Sequence, residues 1–396
     1  MKKRVLITNY DMEIGGVERS LASMLANFDY GHFDLDLHLH SHTGPLMKLI
    51  DNRAKLLPEK AGCKTFRKGI IDTLLSGYPS LATRRFIARL AAKKFAKRTQ
   101  TNDAGYFQFQ YIWNTCYKCV EPIQQEYDIA ISYLWPHHFT AFNVNADIKI
   151  AWIHTDYSTI DIDVAKDLTV WDKFNYIISI SDACTDSFLK THPSLRNKVH
   201  VVENLTSPDY VKAMACEPLE QPLSDGFNLV SVGRLCDAKA FDRAVGVLAV
   251  LNNRGYKDIN WYIVGEGGDR PLIEAKIAEH DLHNRFILLG SMINPYPYMN
   301  AGDIYVQPSR YEGKAVTVSE ALILAKPVII TNYPTAPSQI NSGVNGMICG
   351  QPVDDIADGI EELYHDDLLK LKLVDYNKQK DHSNSDELSK LYRLLK

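Results

Sequence analysis

No apolar run in these 396 residues approaches the ~20 that a membrane helix needs, so a transmembrane span is not expected. The N-terminus, MKKRVLITNYD, is basic and then only briefly apolar, too short for a signal-peptide core. A cytoplasmic location is the expectation. Cysteine is sparse, seven in all, and in that compartment it stays reduced. Cys116 and Cys119 form a lone C-x-x-C with no second pair, which reads as structural rather than as a zinc motif. A formal net charge of −4 provides no bulk attraction to nucleic acid. The first glycine-bearing loop, Gly15-Gly16, lacks the G-x-G-x-x-G pattern of dinucleotide-binding folds.

What is present is an α/β rhythm. Short apolar runs suit strands over 5–9, 33–40, 127–134, 149–153, 176–181 and 199–204, with a helix over 17–28. Residues 205–226 carry Pro208, Pro218 and Pro222 among polar neighbours and read as a linker. The rhythm then resumes, with strands over 229–232, 261–264, 286–289, 303–307 and 327–331 alternating with amphipathic helices. Such alternation predicts parallel sheets covered on both faces. The expected organisation is a domain over 1–205, a second over 206–375, and a cleft between them.

The most informative stretch is Asp303 to Ala325, DIYVQPSRYEGKAVTVSEALILA. A strand runs into a breaker-rich loop, Pro308 to Lys314, and then into a helix from Ala315. The unpaired N–H groups and positive dipole end of that helix make an anion site. Glu312 in the loop and Glu320 in the second helical turn frame it. Ionised carboxylates only accept hydrogen bonds, so they suit sugar and ribose hydroxyls, while the amides of Gly313, Lys314 and Ala315 suit a diphosphate. In the same half, Gly233-Arg234 and then Lys239 place two cations after a strand, as phosphates require. Gly265 begins a Gly-rich turn after the next strand.

This stretch resembles the E-x7-E signature of retaining, family 4 glycosyltransferases of the GT-B fold. The likeness extends from the lead-in Asp303–Ser309 through EALILAKPVIIT, Glu320 to Thr331. Lys314-Ala315 departs from the usual aromatic or aliphatic residue followed by glycine. The resemblance implies two Rossmann-like domains facing a central cleft, with a last helix, about 376–396, packing back on the first. It implies transfer of a sugar from a nucleotide-diphosphate donor, UDP-linked by expectation, to a glycan or lipid-linked glycan in surface-polysaccharide synthesis. Arg234 and Lys239 would hold the diphosphate, Glu312 the sugar and Glu320 the ribose. Gly15 and Gly16 would face the donor, and His154, just past a strand, would position the sugar. No cofactor or catalytic metal is implied. A GT-B-like sugar-nucleotide epimerase and a non-catalytic partner subunit are the rival readings. Product analysis without acceptor separates out the first, and loss of nucleotide binding would favour the second.

Three further features stand apart. Phe33, Leu35, Leu37 and Leu39 alternate with Asp34, Asp36, His38 and His40, as in a half-buried strand. That alternation explains His38, His40 and His42 more simply than a metal does. The pairs Asp34/Asp36 and Asp161/Asp163 are formally D-x-D but sit in no matching context. Between Leu81 and Arg98 lie seven basic residues and no acid, with Phe86, Ile87, Leu90, Ala91 and Phe95 as the expected apolar side of a helix. Such a helix suits an anionic membrane surface at the inner leaflet, or else a core-packed helix with its charges outside.

Overall fold

The computed structural model describes residues 2–66, 68–99, 105–384 and 386–395. The chain divides into two compact units, Met1–Leu205 with Asp386–Lys396, and Thr206–Ser385.

The first unit holds seven strands: β1 (Lys3–Asn9), β2 (Phe33–Leu39), β3 (Lys55–Leu56), β4 (Glu126–Ser132), β5 (Asn145–Ile153), β6 (Tyr176–Ser179) and β7 (Val199–Val201). They lie in the order β3-β2-β1-β4-β5-β6-β7, all parallel. The strand order reverses between β1 and β4, where Val5 pairs with Ile129 and Thr8 with Ser132. In open parallel sheets this switch point, at the carboxyl ends of the strands, is where ligands bind.

The second unit repeats the plan with six strands: β8 (Phe227–Val232), β9 (Ile259–Val264), β10 (Phe286–Gly290), β11 (Ile304–Gln307), β12 (Val328–Thr331) and β13 (Met347–Cys349). Their order is β10-β9-β8-β11-β12-β13, again parallel, with the switch between β8 and β11. Every residue of β9 is buried, because helices cover both faces. Neighbours on β8 divide between the two cores. Leu229 packs with the helices Phe241–Asn253 and Val353–His365, and Val230 with Tyr296–Ala301 and Val316–Ile323.

Two expectations need correction. The presumed linker contains a helix, Pro208–Ala215, which tolerates its proline because Pro208 stands in the first turn, where no intrahelical N–H bond is lost. The returning segment also starts later than about 376. The helix Asp367–Gln379 stays in the second unit, and only Asp386–Leu394 joins the first. There Tyr392 stacks on Phe33 at 5.5 Å and meets Phe28 edge-on at 5.6 Å. Ser385 and Lys396 of the expected segment lie outside the described residues.

Candidate active site

In the second unit the loops that follow β8, β9 and β10 are joined backbone to backbone. Gly233 N donates to Val264 O at 3.0 Å, Leu235 N to Glu266 O at 3.1 Å, and Gly265 N to Gly290 O at 2.8 Å. Gly265 has φ +154, and a Cβ there would sit 1.8 Å from the Gly233 carbonyl oxygen. Only glycine permits that approach. Gly265 thus acts by letting the β8 and β9 loops touch.

The loop after β8 next makes a short turn, Asp237–Lys239, ended by Ala240 in the left-handed conformation at φ 55. The loop after β11 is fastened to this turn. Arg310 N donates to Ala238 O at 2.8 Å, and the Arg310 guanidinium grips both oxygens of Asp242 at 2.9 Å each. Burial alone would raise the Asp242 pKa, but the Arg310 hydrogen bonds and charge, with Lys276, hold it below the usual value.

This docking sets Lys239 Nζ 2.5 Å from Glu312 Oε1. Two more donors reach the same oxygen, Ser309 Oγ at 2.6 Å and Gln307 Nε2 at 3.2 Å. Gln307 is itself held, its Oε1 accepting from Tyr305 OH at 2.6 Å and Thr317 Oγ1 at 3.2 Å. Gln307, Ser309 and Tyr305 are fully buried. The carboxylate is therefore fixed through one oxygen, while Oε2 has no protein partner among the described residues. Arg234 is exposed and unpaired among the described residues.

The other expected donor residues fall as follows. Glu320 lies in the helix Val316–Ile323, 1% exposed, its Oε1 accepting from Tyr296 OH at 2.7 Å. Gly313 and Lys314 precede the helix. The Ala315 amide is not available to a phosphate as expected. It donates to Gln339 Oε1 at 3.0 Å, and Gln339 Nε2 returns a bond to Ala315 O at 2.9 Å. Sequence reasoning missed Gln307, Ser309, Arg310, Tyr296 and Gln339. A polar Gln307 closing the otherwise apolar strand IYVQ was the available signal.

In the first unit, Gly15 caps the helix Gly16–Ala26, and the Glu18 carboxylate folds back over it. Any Cβ at Gly15 would lie 2.1 Å from Glu18 Oε2. His154 follows β5, parallel to Trp152 at 6.3 Å and tilted against Tyr133 at 4.9 Å. Burial lowers its pKa to about 3, although the Tyr133 backbone and Asn204 pull the other way. It is neutral at any physiological pH. One residue of each D-x-D pair has a structural role. Asp36 accepts from Tyr127 OH at 2.7 Å, and Asp163 caps the helix Val164–Trp171.

The basic segment is the helix Pro79–Thr99; of its expected inner side only Phe95 packs inward, against Phe107 at 5.0 Å, with Ala91 half-buried. Leu81, Arg85, Ala88, Ala92 and Ala96 face inward, while Phe86, Ile87 and Leu90 are 53–57% exposed. Small alanines allow close packing on the helix Gly105–Cys116. Arg85 is accommodated because its guanidinium bonds Thr65 O at 2.9 Å, Lys68 O at 2.7 Å and Thr73 Oγ1 at 2.7 Å.

Two parallel sheets in this strand order define the GT-B fold, with fixed carboxylates and an exposed arginine at the switch point of the second. Residues 220–380 match the family model for glycosyl transferases group 1. An uncharacterized glycosyltransferase of Methanocaldococcus jannaschii is 29% identical over 173 residues, 42% of each chain. Alpha-D-kanosaminyltransferase of Streptomyces kanamyceticus is 24% identical over 208 residues, 50% of this chain and 53% of that one. The chain thus spans about half the length of these curated relatives. The structure of Anabaena HepE in complex with UDP and glucose has the same fold, with a TM-score of 0.68 at 15% identity over 99% of both chains.

Proposed function

We propose that this protein is a retaining glycosyltransferase that moves a sugar from a nucleotide-diphosphate donor, UDP-linked, to a glycan or lipid-linked glycan in cell-surface polysaccharide synthesis. The observation that carries this reading is the convergence of Lys239, Ser309 and Gln307 on one oxygen of Glu312, at the switch point of the second sheet. The other oxygen is left to accept from sugar hydroxyls. An ammonium has three donors, so Lys239 can bind Glu312 and still face a phosphate. Arg234 supplies the second cation. Together they stabilise the departing diphosphate as the sugar gains positive charge, a preorganised electrostatic role that needs no divalent ion at the donor. The anomeric C–O bond to the diphosphate breaks and the acceptor oxygen bonds the same face, its proton passing to the leaving phosphate oxygen. Glu320 receives the ribose hydroxyls, and neutral His154 positions the sugar.

The acceptor side is assigned to the first unit. Exposed Phe86, Ile87 and Leu90, with Ile71 and Leu75 on the preceding helix Ile70–Leu75, lie among exposed Arg84, Arg89, Lys93, Lys94, Lys97 and Arg98. Apolar side chains within a basic field fit an anionic lipid surface carrying the acceptor. No described helix is long and apolar enough to cross a membrane. Flotation with anionic vesicles should retain wild type and lose a variant with Phe86, Ile87 and Leu90 changed to serine. Equal flotation removes the membrane from the proposal.

The donor is tested by a thermal-shift screen of UDP- and GDP-sugars. One donor should raise the melting temperature of wild type but not of Arg234→Ala or Glu320→Ala. Arg234 is exposed, so its loss leaves the fold intact. No shift with any nucleotide on folded wild type overturns the donor site.

A further inference from the structure

The proposed reaction makes no use of a buried cluster in the first unit. His38 lies on β2 and His40 just past its end, 0% and 3% exposed. Cys63, fully buried, opens the short turn Cys63–Thr65. One ligand atom from each of the three lies within 4.8 Å of the others. Among the described residues neither nitrogen of His38 has a hydrogen-bond partner, nor does Nδ1 of His40. Buried polar atoms are normally paired, so three orphans in one cluster call for a reason. His42, the third histidine of the tract, turns away and places Nε2 3.1 Å from Leu57 O.

The surroundings suit an ion better than a proton. Phe139 stacks on His38 at 4.8 Å, Trp113 stacks on His40 at 5.4 Å, and Phe66 stacks on Trp113 at 4.0 Å. These walls fix the rings. Neutral imidazole is the form that ligates metals.

We propose that His38, His40 and Cys63 form a zinc site, two imidazoles and one thiolate, tying the turn at Cys63 to the end of β2. Mixed nitrogen and thiolate ligands select zinc over harder divalent ions. Metal–ligand bonds of about 2.0–2.3 Å require the three atoms to draw together by roughly 1 Å, within the reach of side-chain rotation. Zinc replaces the thiol proton of Cys63, which leaves to solvent, and water fills the fourth position. The site stands apart from the sugar-transfer reading and does not depend on it.

The test uses the full chain, without a histidine tag and without chelator during purification. Elemental analysis should find close to one zinc per chain in wild type and in His42→Ala. Zinc affinity should fall about tenfold or more in His38→Gln and Cys63→Ser. After stripping, cobalt should give a thiolate-to-cobalt charge-transfer band in wild type that Cys63→Ser lacks. If a variant does not fold, the wild-type zinc content and cobalt band decide alone. Wild type with little zinc and no sulfur band overturns the site. So does Cys63→Ser binding zinc as wild type does, which would mean an adventitious ion only.

Discussion

The Lys239–Glu312 pair makes the sharpest prediction. The two charges are 2.5 Å apart with side-chain exposures of 21% and 10%. At an effective dielectric of ~20 their attraction is about 7 kcal/mol. Desolvation of both groups takes back most of it, leaving a net coupling of about 2 kcal/mol. Lys239→Met strands a carboxylate that keeps only the neutral donors Ser309 and Gln307, and should cost about 3 kcal/mol. Glu312→Gln strands the ammonium at a similar cost. The double variant should be about 2 kcal/mol more stable than the sum of the two losses predicts. Urea unfolding of the four proteins measures this directly. Donor binding separates from stability. The double variant should recover its fold but not nucleotide-sugar affinity, because both groups proposed to face the donor are gone. A coupling within about 0.5 kcal/mol of zero would refute the claim that the pair organises the site. Recovery of donor affinity in the double variant would refute its functional half.

Gly265→Ala should lose about 3 kcal/mol, because its Cβ would meet the Gly233 carbonyl at 1.8 Å in a backbone region strained for alanine. Donor affinity should weaken as well, since Gly233 and Arg234 must move, and unchanged urea midpoints and affinity would contradict the loop contact. Acid should destabilise the first unit. Burial lowers the pKa of His138 and of His154 to about 3. Their unfolded values are about 6.5, so the unfolded chain binds more protons below that pH. Stability is complete above about pH 6.5 and is lost as pH falls toward about 3, by about 1.4 kcal/mol per histidine per pH unit. A urea midpoint that is flat between about pH 7 and about pH 5 would contradict their burial.

The elements, and the one stretch that carries the two carboxylates of the candidate site, were legible because they are local. Glu312 and Glu320 sit in one continuous stretch, and the strand, loop and helix around them follow from breakers and periodicity. What was not legible depends on distant pairing. The Ala315 amide is taken by Gln339, and Arg310 fastens its loop to Asp242. No local pattern announces either bond. The helix Pro79–Thr99 was turned largely the wrong way because periodicity alone favours burying Phe86 and Leu90. Close packing through alanines and the carbonyls waiting for Arg85 won instead. His38 looked like a solvent-facing member of an alternating strand. Both faces of β2 are covered near its carboxyl end, and Cys63 arrives there from beyond β3.

The helix Asp386–Leu394 completes a unit begun nearly the whole chain earlier. A polypeptide emerges from the ribosome amino end first, so Phe28 and Phe33 wait for Tyr392 while all of residues 206–385 are made. The second unit, contiguous in sequence, can finish folding before the first is sealed. During that interval Phe28 and Phe33 lack their Tyr392 cover, so truncation near residue 385 is a loss to the amino-terminal half rather than to the half it adjoins.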